Sequence, residues 1–325
     1  MRTVVSVILV VAAMTAAGCG SSSATGSGPN AQPTGVRLAL DWYPNPDHIG
    51  IYTAISHGDF ARAGLDVIPV PPANVSDPLK LIAAGRADIA ISYEPELFFA
   101  QQSGLPVEAV ASVVPTALNS IIARGGQGIT TPADLKGHSI GVDGSASTSA
   151  YLDAVLHHSG LSPPDVTIVN VGFNLVPALL SHRVDAVTGV YRNIEGAQLA
   201  AAGAHPVVMP IDQYGVPSYD ELVVAVNRSK MESDATYRRT VDAFVSALRA
   251  GTVYAQQHPA AALAVMRKVA ASDYQKVLER SVPETLRLLH IGPLSEPAWA
   301  RFGAWMYAQK LLSHKPDASQ IVASS

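Results

Sequence analysis

A tryptophan set among an aspartate, an asparagine and a histidine makes Asp41-Trp42-Tyr43-Pro44-Asn45-Pro46-Asp47-His48 the chemically densest stretch of this chain. The indole offers a flat stacking face. Around it stand a carboxylate acceptor, an amide that both donates and accepts, and an imidazole whose role depends on its tautomer. Such a set suits a small planar heterocycle. The stretch follows a short apolar strand predicted over 36–40, and loops leaving the carboxyl ends of strands are where open α/β sheets hold ligands. Other candidate contacts stand at the same kind of place. Tyr93 and Glu94 follow a strand predicted over 88–92, and Ser145, with Asp143, follows Ser139–Val142. Phe173 and Asn174 follow 166–171, while Tyr191, Asn193 and Glu195 follow 185–190.

Several of these residues have a plainer reading beside the functional one. Trp42 suits a partly buried core position as well as a stacking face. Asp47 is expected to cap the helix beginning near Ile49, and His48 reads equally as a helix start or a ligand contact. Glu94 and Glu96 flank Pro95 and are compatible with two solvated carboxylates; Glu195 is compatible with an exposed helix residue. Asp143-Gly144-Ser145 either holds an anion on backbone N–H groups or simply caps the helix that follows.

The elements that must position these groups alternate between strand and helix. A helix is predicted over 49–62, closed by Gly64, then a strand over Leu65–Val70. Asp77-Pro78 opens a helix through Ala84. The pattern restarts with a strand over 120–123 and a short helix from Thr131-Pro132. A helix from Ser145 to His158 and another over 175–181 follow. Repeated βα units predict an α/β fold with largely parallel sheets. An internal echo aligns Leu81-Ile82-Ala83-Ala84-Gly85-Arg86-Ala87-Asp88 with Ala178-Leu179-Leu180-Ser181-His182-Arg183-Val184-Asp185, as expected of two related lobes. After Leu222–Asn227, helices are predicted over 234–257, 260–271, 274–280 and 298–312, broken at His258-Pro259, Pro283 and Pro293. The expected organisation is one lobe from 36–116 with 230–325 and a second from 117–229, the ligand lying in the cleft between them.

The N-terminus stands apart. Arg2 precedes an apolar run over 4–17, too short to span a bilayer comfortably. Cys19 is the only cysteine of the 325 residues, so it forms no internal disulfide. The segment 1–19 resembles a bacterial lipoprotein signal in which Cys19 is lipidated, with Ala16 where a Leu is usual, and 20–35 reads as a flexible tether. The expectation is an exported protein anchored by that lipid to the outer face of the membrane. A net charge of -4 without a basic stripe argues against nucleic-acid binding. No HExxH, GxSxG or phosphate-binding glycine loop is present, and His157-His158 are adjacent, which splays them on a helix. No catalytic residue, metal or cofactor is expected.

Taken together, these motifs resemble the NMT1/THI5-like solute-binding lipoproteins of ABC importers. The carriers are Asp41-Trp42-Tyr43-Pro44-Asn45 with His48, Ala87-Asp88-Ile89-Ala90-Ile91-Ser92-Tyr93, Asp134-Leu135-Lys136-Gly137 and Val171-Gly172-Phe173-Asn174. The most specific is Val184-Asp185-Ala186-Val187-Thr188-Gly189-Val190-Tyr191-Arg192-Asn193-Ile194-Glu195-Gly196. The resemblance implies a type II periplasmic-binding-protein fold, a monomer, an ABC permease as partner, and an aminopyrimidine ligand of the hydroxymethyl or formylaminomethyl kind. Trp42 and a Tyr would then hold the ring faces, Glu195 the exocyclic amine, and Asn or His groups the ring nitrogens. Fungal members of the family are implied to be iron-dependent pyrimidine-synthesising enzymes with a cysteine-rich motif. This chain lacks those cysteines. The alternatives are a binding protein for an alkanesulfonate, taurine or another nitrogen compound, with Ser145 and its helix as the anion site; a pyrimidine-synthesising or hydrolytic enzyme; or a sensing module for a partner receptor.

Overall fold

Val36 and Leu38 sit two residues apart on the first strand, β1 (Thr34–Ala39), and both are fully buried, the period-two signature of a strand with one face in a core. The computed structural model describes residues 32–74 and 77–323; the signal segment with Cys19, and nearly all of the tether, lie outside the described residues. After β1 comes a 3-10 turn, Pro46–His48, and then α1 (Ile49–His57) and α2 (Asp59–Arg62). The single helix predicted here is broken at Gly58, whose φ of 83° lies in the left-handed region that a Cβ disfavours. The chain continues through β2 (Leu65–Val70), α3 (Asp77–Ala83), β3 (Ile89–Ser92), α4 (Glu94–Gln102) and β4 (Val107–Val114). Neither α4 nor β4 was anticipated.

A second set follows: β5 (Asn119–Ala123), β6 (Ser139–Val142), α5 (Ala146–His158), β7 (Thr167–Asn170), α6 (Leu175–Leu180), β8 (Ala186–Tyr191), α7 (Glu195–Ala201) and β9 (Val207–Pro210). The chain then returns through β10 (Leu222–Asn227) and ends in α8 (Arg228–Ser233), α9 (Ala235–Gln257), α10 (Pro259–Val269), α11 (Leu278–Leu288) and α12 (Glu296–Ala308).

Two five-stranded sheets result, ordered β2-β1-β3-β10-β4 and β7-β6-β8-β5-β9. In each, four strands joined by βα units run in the same direction and one strand is reversed. β10 pairs antiparallel with β3 and β4, and β5 pairs antiparallel with β8 and β9. The prediction of largely parallel sheets therefore holds for strand direction but misses these two. Their reversal has a simple cause. β5 and β10 are the first strands after the chain crosses from one sheet to the other, so neither arrives through the helical crossover that a parallel neighbour requires.

The internal echo has a structural counterpart. Arg86 and Ala87 donate their N–H groups to Leu81 O, as Arg183 and Val184 do to Ala178 O. Asp88 then accepts from the Arg37 N–H at 2.8 Å, and Asp185 from the Ser139 N–H at 2.8 Å. Each aspartate pins the start of its strand to the strand beside it.

The helical tail packs on the first sheet's side. In α9, the buried Tyr237, Val241, Phe244, Leu248, Gly251 and Ala255 recur at helical spacing, and this face lies on α1, α2 and β2. Two tail predictions need correction. α11 runs through Pro283 rather than stopping there, because a helical proline removes one N–H donor without ending a helix that is held by packing. The segment predicted as helix over 274–280 is instead a 3-10 turn, Ser272–Tyr274, leading into α11. The chain's end returns to β4, where Ala109 N–H donates to Ile321 O at 2.7 Å. Among the described residues no helix is long and apolar enough to cross a membrane.

The contact of α1 with α9 depends on small residues. A Cβ at Gly251 would approach Ala54 Cα to 2.6 Å and Ala54 N to 2.8 Å, backbone atoms that cannot turn aside. Gly251→Ala is expected to destabilise the protein by about 1–3 kcal/mol, read as a lower denaturant midpoint. An unchanged midpoint would show that the two helices can part without cost.

Candidate ligand-binding site

Between the two sheets lies a cavity lined by groups from both. The first sheet's loops bring Asp41, Trp42, Asn45 and Tyr93 to it. The second sheet and its helices bring Asn119, Asp143, Ser145, Thr148, Gly189, Tyr191 and Glu195. Glu221, just ahead of β10, completes it.

Asp41 is the best-organised group on the first side. Its Oδ1 lies 2.8 Å from His48 Nε2, and its Oδ2 accepts the Tyr93 hydroxyl proton at 2.9 Å. The Asn45 N–H points at His48 Nδ1, at 3.3 Å. Nδ1 is therefore the acceptor of that ring and Nε2–H the donor to Asp41, which settles the tautomer. His48 is 1% exposed and does not line the cavity; its contact is with Asp41.

Two asparagines face the cavity with their orientation set by the backbone. Asn45 Oδ1 accepts the Asp47 N–H at 2.8 Å, capping the 3-10 turn. Asn119 Oδ1 accepts the Gly189 N–H at 3.3 Å. With each oxygen occupied, each Nδ2 is left as a donor for a ligand acceptor. Asn45, not Asp47, is thus the cap. Asp47 instead accepts from Asn193 Nδ2 at 2.9 Å, and the same Nδ2 donates to Thr285 Oγ1 at 2.9 Å. Asn193 is fully buried and ties the second lobe to the first rather than touching the cavity.

Three N–H groups at the start of α5 are engaged within the protein. The Ser145 N–H donates to Asp143 Oδ1 at 2.8 Å, Ser147 N–H to Glu96 Oε1 at 3.3 Å, and Thr148 N–H to Ser145 Oγ at 3.1 Å. Donors that an anion would need already serve the protein's own oxygens, so the capping reading is the right one. Gly189 is required beside them: its φ is 82°, and a Cβ would come within 3.0 Å of Asp143 Oδ2 and Thr148 Oγ1.

Glu195 opens α7 and accepts the Tyr191 N–H at 2.8 Å. Trp42 Nε1 donates to the Tyr274 hydroxyl at 2.9 Å, and Tyr274 in turn hydrogen-bonds Glu195. Phe173, from the second lobe, sets its ring edge-on to Trp42 with centroids 4.3 Å apart and meets Tyr43 at 4.9 Å. Trp42 is thus half-buried, with one side on the cavity and its indole N–H satisfied.

Of the other predicted contacts, Glu94 and Asn174 lie outside the cavity lining, and Phe173 meets the site only through Trp42 and Tyr43. Glu94 is 1% exposed, outside the cavity lining, and accepts the Asp220 N–H at 2.7 Å. Glu96 is also buried and binds Ser147 across the cleft, so neither carboxylate is solvated. Asn174 is exposed at the start of α6. Residues not predicted include Asn119, Ser147, Thr148, Tyr151, Gly189 and Glu221. Asn119 and Glu221 were missed for one reason: each stands at the beginning of a reversed strand, so a search of strand carboxyl ends passes over them.

The cavity is acidic. Asp41, Asp143, Glu195 and Glu221 line it, and among the described residues no Lys or Arg does. Burial pushes Asp143 and Glu221 above the usual carboxylate range and Glu195 up to about 7. The arrangement favours an uncharged or cationic ligand rich in N–H donors that also presents ring acceptors to the two Nδ2 groups. Among the described residues no cluster of three or more His, Cys, Asp or Glu is placed to hold a metal ion.

The buried Asp47 is likewise pushed up to about 7, chiefly by burial. Its folded pKa lies above the ordinary 3.8, so the folded state keeps a proton that the unfolded chain gives up. Stability therefore falls as pH rises from about 4 to about 7 and is level above that. Asp47→Asn is expected to raise Tm at pH 8 and to leave it nearly unchanged at pH 4. Equal shifts at both pH values would exclude titration of Asp47 as the cause.

Residues 45–262 match the family described as NMT1/THI5 like. A protein of Haemophilus influenzae whose name places it in thiamine biosynthesis is 40% identical over 69% of this chain and 70% of its own length. The formylaminopyrimidine-binding protein of Halalkalibacterium halodurans is 38% identical over 71% and 69%. A 4-amino-5-hydroxymethyl-2-methylpyrimidine phosphate synthase of Saccharomyces cerevisiae is 32% identical over 48% and 46%. Among solved structures, the alkanesulfonate-binding protein SsuA of Xanthomonas axonopodis pv. citri superposes with a TM-score of 0.72 at 20% identity, covering 91% of this chain and all of that one. Its likeness speaks for the fold alone, the two-lobed fold of periplasmic binding proteins. By its matched residues and its relatives, this chain belongs to the NMT1/THI5-like family.

Proposed function

We propose that this chain is the substrate-binding lipoprotein of an ABC importer, capturing an aminopyrimidine precursor of thiamine between two closing lobes. The observation that carries this reading is the cavity's pairing of buried carboxylates with two backbone-oriented asparagine amides beside Trp42. A 4-aminopyrimidine presents an exocyclic N–H donor next to ring-nitrogen acceptors on one flat edge. Carboxylates such as Glu195 or Asp143 suit the amine, Asn45 and Asn119 suit the ring nitrogens, and Trp42 with Tyr191 or Tyr93 suits the faces.

Each lobe contributes part of this set, so only the closed form assembles it. That is how a ligand shifts a protein between two conformations: by binding one better than the other. The bonds from Asn193 to Asp47 and from Ser147 to Glu96 join the lobes in the form described. Delivery to a permease, and lipid attachment at Cys19 on the outer face of the membrane, belong to the same proposal.

The named relative that binds formylaminopyrimidine supports the ligand class. A sulfonate ligand is disfavoured, because four carboxylates line the cavity and the N-terminus of α5 is already occupied. An enzymatic role of the fungal synthase kind is disfavoured by the single cysteine, Cys19, where the resemblance implies a cysteine-rich motif. His48 is turned to Asp41 rather than to the cavity.

Calorimetric titration should give saturable binding of hydroxymethylpyrimidine or formylaminomethylpyrimidine and none of an alkanesulfonate. Binding of the sulfonate alone would overturn the proposal. Trp42→Ala and Glu195→Gln are each expected to weaken pyrimidine binding by about tenfold or more with far-ultraviolet circular dichroism unchanged. Full affinity in both variants would place the ligand elsewhere.

A further inference from the structure

Trp42 and Glu195 come from different lobes and are joined through one side chain. Tyr274 is buried in the turn ahead of α11. That turn is fastened to the first lobe's ligand loop, where the Ala271 N–H donates to Pro44 O at 3.0 Å. From there the Tyr274 hydroxyl reaches both groups. It accepts the Trp42 indole N–H at 2.9 Å and is hydrogen-bonded to Glu195, which opens α7 on the second lobe. Tyr274 borders a groove outside the cleft and does not line the cavity itself.

We propose that Tyr274 is a positioning residue of the ligand site, acting through Trp42 and Glu195 without touching the ligand. It fixes the plane of the indole and donates its hydroxyl proton to the Glu195 carboxylate, holding that group as an acceptor for the ligand's amine. The proposal rests on the aminopyrimidine reading above and adds a residue to it. An indole nitrogen only donates, so the phenol oxygen takes the Trp42 N–H on a lone pair and keeps its own proton for the carboxylate. With the Tyr191 N–H at 2.8 Å, this gives Glu195 donors from both lobes. Both favour its charged form, while burial opposes them and pushes it up to about 7.

The hydroxyl bridges the lobes, so it meets Glu195 only where the lobes meet. Closing then acts on the carboxylate in two opposed ways. It removes water, which favours the proton, and it supplies an O–H donor, which favours the charge. Without that donor the first effect stands alone, and Glu195 takes up a proton at higher pH. Among the other charged groups around it, Asp47 of the first lobe feels its charge, and Lys276 lines the outer groove. Asp41, Asp143 and Glu221 share the cavity. Removing the Tyr274 hydroxyl leaves all of these side chains in place.

The test titrates the full chain calorimetrically with hydroxymethylpyrimidine at about pH 6 and about pH 9, comparing wild type with Tyr274→Phe. The probe's own titration cancels in the ratio of the two affinities. Tyr274→Phe is expected to cost about tenfold in affinity at the lower pH, narrowing to about twofold at the higher. In a Glu195→Gln background the same change should cost an equal factor at both, because an amide does not titrate. A narrowing that persists in that background would assign the titration to another group and overturn the proposal. A loss independent of pH with Glu195 present would reduce Tyr274 to packing and overturn it too, as would no loss at all. These outcomes leave the aminopyrimidine reading standing, whereas failure of the wild type to bind the probe would overturn both. Should Tyr274→Phe not fold because it strands the indole N–H, Trp42→Phe with Tyr274→Phe, measured against Trp42→Phe alone, carries the same comparison.

Discussion

One buried carboxylate stands where the chain crosses between its two sheets. Glu221 accepts the backbone N–H groups of Leu118 and Asn119, at 2.6 and 2.9 Å, and the hydroxyl of Tyr219, at 2.9 Å. Leu118 and Asn119 belong to the outgoing crossing, Tyr219 and Glu221 to the returning one. The two connections that carry all covalent continuity between the lobes are thus fastened side by side, and the carboxylate that fastens them also lines the cavity.

From this arrangement follows the reversal of β5 and β10. Each strand enters its sheet straight from the crossing, against the direction of its neighbours, and each therefore brings its first residues to the cleft. The parallel strands bring their last residues to the same place. A site assembled from both kinds of strand end collects Asp41 and Tyr191 by one route and Asn119 and Glu221 by the other. Around it, carboxylates are buried without cationic partners, and burial raises their pKa values. Such charges are costly unless protonated or matched. A ligand bringing N–H donors would remove part of that cost.

Much of this was legible in the chain. Ser139–Val142 stands as predicted, since an apolar strand bounded by turn residues carries a local signal; Leu222–Asn227, assigned to the second lobe's range 117–229, instead joins the first sheet between β3 and β4, a pairing no local pattern records. The echo of Leu81–Asp88 in Ala178–Asp185 was legible because each Asp meets a requirement inside its own lobe, pinning the adjoining strand. The cluster at Asp41-Trp42-Asn45 was legible because stacking and hydrogen-bonding groups crowd a strand end. Glu94, Glu96 and Asp47 were misread: a carboxylate beside a proline or ahead of a helix looks solvated or capping, and only a partner distant in the chain buries it. Tyr274 lies more than 200 residues from Trp42 in a tail read only as packing, and no local pattern joins them.

Residue type and local spacing settle which segments are strands and helices, the family the motifs belong to, and the stacking and acceptor groups at strand ends, because those depend on neighbours in the chain. Tertiary structure alone settles which of those groups meet. It turns His48 onto Asp41 and spends Asn193 on holding the lobes together. The donors at the start of α5 go to Asp143 and Glu96, and Asn119 and Glu221 enter the cleft on reversed strands. The Glu96, Asn193 and Glu221 contacts join residues about 50 to 150 positions apart, and they exist only once the chain has crossed between its sheets.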